Sequence, residues 1–151
     1  MRISAKADHA LRALIELGSH DAGPLTAEQL AQALDLSPKF LEGILSQLRN
    51  HGLVVSRRGA EGGYWLARPA AQISVAQVVR ASEGPLASVR GQQPEDVTYG
   101  GAAGALADVW IALRASLRSV LEAVTLADLV AGALPASVAA LLDDPAARRT
   151  R

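Results

Sequence analysis

Lys39, Glu42, Gly43, Ser46 and Asn50 recur at three- and four-residue steps, so a helix would carry them along one face. A cation, a carboxylate, a hydroxyl and an amide in one row form a hydrogen-bonding surface. Lys39 can donate to guanine or phosphate, and Ser46 and Asn50 can reach base edges or backbone. Glu42 can accept from cytosine N4 or repel wrong sequences. Ser37, just ahead of the row, would start the helix and offer N–H groups and a favourable dipole to a phosphate. Farther on, Arg57 and Arg58 lead into Gly59 and a glycine-rich turn. An arginine beside such a turn can enter a narrow minor groove, where the negative potential is enhanced. Strand alternation points Arg57 to the opposite face, toward phosphate or solvent. Arg2 and Lys6, near the amino terminus, can also reach the backbone. The chemistry expected is recognition of double-stranded DNA. No Ser/His/Asp set, paired-carboxylate motif or phosphate loop points to an enzyme.

The elements that would position these residues follow from periodicity and punctuation. Ser4 caps a first helix to about residue 19, with Ala7, Ala10, Leu11, Leu14, Ile15 and Leu17 on its apolar face. Thr26 and Gln29 have the capping-box spacing for a second helix, with Leu30, Ala31 and Leu34 inward. A very short turn, Asp35 and Leu36, precedes Ser37 and Pro38, which open a third helix. Phe40, Leu41, Ile44, Leu45 and Leu48 make its apolar side, and Gly52 ends it. Two helices joined so tightly form a helix-turn-helix. Residues 53–57 and 64–67 read as strands around the turn at 58–63. The fold class is mainly α with a small two-stranded wing: a winged helix-turn-helix followed by a long dimerisation helix.

The expected organisation is a DNA-binding domain over 1–84, a flexible loop over 85–104, dimerisation helices over 105–142 and a frayed tail over 143–151. Ser74 and Gln77 open a short helix, with Val75, Val78 and Val79 apolar, that ends at Gly84 and Pro85. Four glycines (Gly91, Gly100, Gly101 and Gly104) and many polar residues mark the loop. Beyond it, Leu106, Val109, Trp110, Leu113, Leu117, Val120, Leu121 and Val124 form a stripe too long for a small winged helix to cover, hence a seam for a second copy. Thr125 restarts a helix, and Pro135 permits one more short turn or helix.

Composition narrows the class. The chain has 151 residues, half of them apolar but only 3% aromatic, so its core is aliphatic. Fifteen basic and fifteen acidic residues cancel, so any DNA surface arises from local clustering. There is no cysteine, which excludes disulfides, thiol catalysis and thiolate metal sites. His9, His20 and His51 share no metal-binding spacing, and no metal is expected. The amino terminus does not read as a signal peptide, and no stretch approaches the roughly 20 apolar residues of a membrane span. A cytoplasmic location without membrane contact is expected. Trp65 alternates with Tyr64 and Leu66, so it faces outward if those two face the core.

Several ordered pieces carry a family resemblance. They are Ile3-Ser4 with Ala10-Leu11 and Ala13-Leu14, Leu30-Ala31, Phe40-Leu41-Glu42 with Ile44-Leu45, and Gly52-Leu53-Val54. Arg58-Gly59, Gly62-Gly63-Tyr64-Trp65-Leu66-Ala67, Glu83-Gly84, Trp110 and the run from Thr125 to Leu129 continue them. This set, over residues 1 to about 130, resembles the Rrf2 family of bacterial winged-helix regulators. The resemblance implies that the long helix pairs two subunits and that the winged helices bind a palindromic operator. It supports Glu42 as a specificity residue and Arg58 as the wing arginine, whereas Gly43 replaces a longer polar residue of some relatives. Relatives that hold an iron–sulfur cluster carry three cysteines before the long helix, where this chain has none. Asp8 falls where an acidic ligand occurs in some relatives, and one carboxylate cannot hold a cluster. The expectation is a homodimeric, sequence-specific regulator that represses by occupying a promoter, with no cofactor and no assigned effector. The alternative is a winged-helix module that docks a protein and does not bind DNA on its own.

Overall fold

The computed structural model describes residues 2–149, and the first residue and the last two of the expected tail lie outside them. Helix α1, Ala5–Ser19, is capped by the Ser4 hydroxyl, which accepts from the Ala7 N–H at 3.1 Å. Its buried face is Ala7, Ala10, Ala13, Leu14 and Leu17. The alanines along that face leave room for neighbouring helices to approach closely. Helix α2, Ala27–Leu34, has the capping box in full, with Thr26 and Gln29 bonded reciprocally at 2.9 and 3.2 Å. Asp35 adopts the left-handed conformation (φ +55°) and turns the chain into α3, Pro38–Asn50. The end of α3 is a Schellman motif. The Leu53 N–H returns to the Leu48 carbonyl at 3.0 Å, and that of Gly52 (φ +67°) returns to Arg49 at 3.0 Å.

Strands β1, Val54–Arg57, and β2, Gly63–Leu66, pair antiparallel with Val54 opposite Leu66 and Arg57 opposite Gly63. They start one residue later and one earlier than the sequence suggests. At β1 the cause is plain, since the Leu53 N–H is already used to close α3. Leu25 adds an unanticipated rung by exchanging backbone hydrogen bonds with Tyr64 at 3.0 and 2.8 Å. Next come α4, Val75–Glu83, α5, Leu106–Leu121, α6, Leu126–Ala131, and α7, Ala136–Leu142. Ser74 and Thr125 each complete a capping box.

One aliphatic core joins α1, α2, α3, β1 and α4, and it includes the fully buried Leu14, Leu30, Leu41, Leu45, Leu48 and Leu53. Leu126 of α6 belongs to the same core with no exposure. The chain returns here because Val75 donates to Val124 and Leu126 to Ile73, both at 2.9 Å. Two expectations are corrected. Helix α6 packs against α1 of the DNA-binding unit, and Val124 is 5% exposed, its apolar surface already spent within its own chain. A third correction concerns Phe40. Read as core, it is 45% exposed, because its phase places it on the flank of the apolar row.

Residues 85–104 are mostly irregular, with short 3₁₀ turns at Pro94–Asp96 and Gly101–Ala103, and are tied to α5 at several points. Trp110 Nε1 donates to the Tyr99 hydroxyl at 3.0 Å, and Arg114 reaches Gln93 at 3.2 Å and pairs with Glu95. Pro94 and Val97 of this segment are buried. In the tail, Pro145–Arg148 forms a 3₁₀ turn capped by Asp144.

Candidate nucleic-acid interface

Helix α3 turns Leu41, Ile44, Leu45 and Leu48 into the core, and this fixes what faces outward. Lys39, Glu42, Gly43, Ser46 and Asn50 are all exposed, and Ser37 is exposed at the helix start. The Ser37 hydroxyl is occupied, since it accepts from the Phe40 N–H at 3.3 Å. Pro38 has no N–H, which leaves the Lys39 amide as the first-turn donor with no partner among the described residues. The anion site expected at this helix start therefore narrows to the amide and the ammonium of Lys39.

Arg49 is exposed at the far end of α3, and its Nη1 donates to the Ser56 hydroxyl at 3.2 Å. That bond joins the helix to the wing. Arg49 is not among the residues expected at the site, although it stands three residues after Ser46 on the flank of the same row.

In the wing, Ser56 pairs with Tyr64, and Tyr64 and Leu66 pack against the core. Val55 and Trp65 pair on the opposite face, where Trp65 is 38% exposed. Arg57 shares that outer side and lines an open groove with His20, Asp21, Pro24 and Trp65. Strand β1 ends at Arg57, so Arg58 stands in the exposed tip with Gly59, Ala60 and Glu61. Two glycines shape the tip by necessity. A Cβ on Gly62 would lie 2.1 Å from the Arg57 carbonyl oxygen, and one on Gly63 (φ +144°) would lie 2.6 Å from that of Leu25. Glycine lets the three backbone segments converge and aims the tip.

Lys6 is exposed on α1. Arg2 lines a cleft with Glu83, Leu86, Trp110, Leu113 and Leu117, which places it against α5. His9, His20 and His51 are apart: His9 meets Phe40 edge-on at 5.7 Å, His20 lies in the Trp65 groove, and His51 Nδ1 is 2.9 Å from the Gln47 carbonyl. Among the described residues no three His, Cys, Asp or Glu side chains come together as metal ligands.

Helix α5 has no buried residue. Trp110, Leu117, Val120 and Leu121 are half-buried, while Val109 and Leu113 are 53% and 42% exposed. Leu106 at its first turn is also half-buried. Arg80 of α4 and Arg118 of α5 both hold Glu122, and the Arg80 hydrogen bond leads in keeping that carboxyl below its ordinary range. These charges fasten α5 to the DNA-binding unit.

The sequence profile of the Rrf2 family, described as an iron-dependent transcriptional regulator, matches residues 3–132. Rv1287 of Mycobacterium tuberculosis, provisionally named an HTH-type transcriptional regulator, is 53% identical over 145 residues, which span 95% of this chain and 90% of that protein. The structure of CymR, the global cysteine regulator of Bacillus subtilis, is similar with a TM-score of 0.74 at 36% identity, over 87% of this chain and 98% of its own. That of IscR from T. potens is similar with a TM-score of 0.67 at 28% identity, over 100% of this chain and 93% of its own.

Proposed function

The chain belongs to the Rrf2 family of DNA-binding transcriptional regulators, which are not enzymes, and we propose that it acts as a homodimeric repressor seated on a palindromic operator. The supporting observation is the exposed row on α3 beside a glycine-shaped wing, joined by the Arg49–Ser56 hydrogen bond. Helix α3 enters the major groove. Glu42, Ser46 and Asn50 meet base edges, Lys39 meets guanine or phosphate, and Gly43 lets the backbone come close. Arg58 enters the adjacent minor groove from the wing tip beside Gly59. Arg57 and Lys6 serve the phosphates, and Arg2, which lies against α5, is left out of the contact surface. Residues 1–84 with α6 form the DNA-reading unit. The exposed side of α5, with Val109 and Leu113 at its centre, pairs with a second copy and sets two α3 helices roughly 34 Å apart. Occupying the promoter then excludes polymerase. The protein works in the cytoplasm; among the described residues no helix is long and apolar enough to cross a membrane.

The family profile's description names iron, but the donors here do not fit an iron–sulfur cluster. The chain has no thiol, and Asp8 is a single exposed carboxylate. Operator affinity is therefore set without a cluster.

Selection of bound duplexes from a random-sequence library, followed by mobility shifts at several salt concentrations, tests this reading. A two-fold symmetric consensus is expected, with affinity falling steeply as salt rises. Arg58→Ala should cost about 1–3 kcal/mol of specific binding and relax preference at one position. Wild-type affinity in that variant would reject the wing assignment.

A further inference from the structure

Phe40 is the unexplained ring of the α3 surface. It is 45% exposed in the first turn of the helix, where a recognition helix comes nearest to base edges. The ring is held without being buried. His9 of α1 meets it edge-on at 5.7 Å, Arg12 Nη1 is 3.2 Å from His9 Nδ1, and Arg12 Nη2 donates to the Leu34 carbonyl at 3.1 Å. Helices α1 and α2 thus set the position of an apolar side chain that the core does not use.

Gly43 stands three residues along the same helix, so it and Phe40 are surface neighbours. Glycine is among the poorest residues in a helix interior. At Gly62 and Gly63 the chain itself leaves no room for a Cβ, but at Gly43 nothing lies within 4 Å of one. No intramolecular contact calls for glycine there. Backbone without a side chain thus stands next to the Phe40 ring along α3, with Lys39 and Ser46 exposed nearby.

We propose that Phe40 and Gly43 together form a shallow apolar notch that reads the 5-methyl group of one thymine in each half-site. That methyl is the apolar group displayed in the major groove of unmodified DNA, and aromatic and small side chains suit it. Phe40 supplies the ring wall, and Gly43 gives the base edge room to approach. The notch makes Phe40 a specificity-determining residue. This inference rests on the DNA-binding reading above.

The test uses the full chain and a duplex recovered by the random-sequence selection, with each thymine replaced in turn by deoxyuridine. The replacement removes only the methyl. Wild type should lose about fourfold in affinity at one thymine per half-site, the worth of one buried methyl-sized group. Phe40→Ala should lose that sensitivity while still binding the duplex. Gly43→Ala should melt about 2–4 °C higher, as its helix propensity predicts, yet bind at least about tenfold more weakly. A merely solvated position would give the higher melting temperature with unchanged affinity. The notch is overturned if no uracil replacement affects wild type, if Phe40→Ala keeps the same sensitivity, or if Gly43→Ala binds normally. A duplex that still binds with steep salt dependence and still responds to Arg58→Ala leaves the DNA-binding reading standing when the notch fails. If the selection yields no duplex, both fall.

Discussion

Lys39 combines a side-chain ammonium with a backbone amide left open at the start of α3. Both favour the same phosphate, or the ammonium reaches guanine while the amide keeps the phosphate. Lys39→Ala should therefore weaken binding and lower the slope of log affinity against log salt by about one. Titrations at four or five salt concentrations measure this, and an unchanged slope would mean that the outer face of α3 is misplaced. The outward row was legible because Leu41, Ile44, Leu45 and Leu48 are so uniformly apolar that helical phase leaves the opposite side no other role. Phe40 and Arg49 were not legible, since both lie on the flanks between the rows. There, position along the helix does not decide burial. The nearness of His9 decides it for one, and the Ser56 hydroxyl decides it for the other.

The wing depends on backbone convergence more than on side-chain packing. Gly62 has its hypothetical Cβ inside the contact distance of the Arg57 carbonyl, so Gly62→Ala must push two backbone segments apart. The expected result is a loss of about 1–3 kcal/mol in stability and a larger loss of operator affinity, with helical circular dichroism unchanged. Retained affinity would show that the tip geometry does not matter for binding. Capping residues made most helix starts readable: Ser4, Thr26, Ser37, Ser74 and Thr125 each accept from the N–H three residues on. The Leu25 rung on Tyr64 was hidden, because a pair almost forty residues apart leaves no local pattern. The same holds for residues 85–104. Glycine content speaks of irregular backbone, but Tyr99, Gln93 and Glu95 find Trp110 and Arg114 only through the tertiary fold.

At the scale of the molecule, zero net charge gives no hint of a nucleic-acid partner. Lys6 of α1, Lys39 and Arg49 of α3, and Arg57 and Arg58 of the wing are exposed, and Glu42 and Glu61 lie among them. The long apolar stripe was readable as a surface in need of cover. Its division was not: segment 85–104 takes one side, and Val109 and Leu113 remain open. The return of Leu126 to the core anchors the carboxy-terminal end of α5, so pairing along the helix would hold two DNA-reading units in a fixed relation. Hydroxyl-radical footprinting of a selected duplex tests that relation most directly. The account predicts two protected patches related by two-fold symmetry, with centres roughly 34 Å apart and two chains on each duplex. One unsymmetrical patch under a single chain would contradict it.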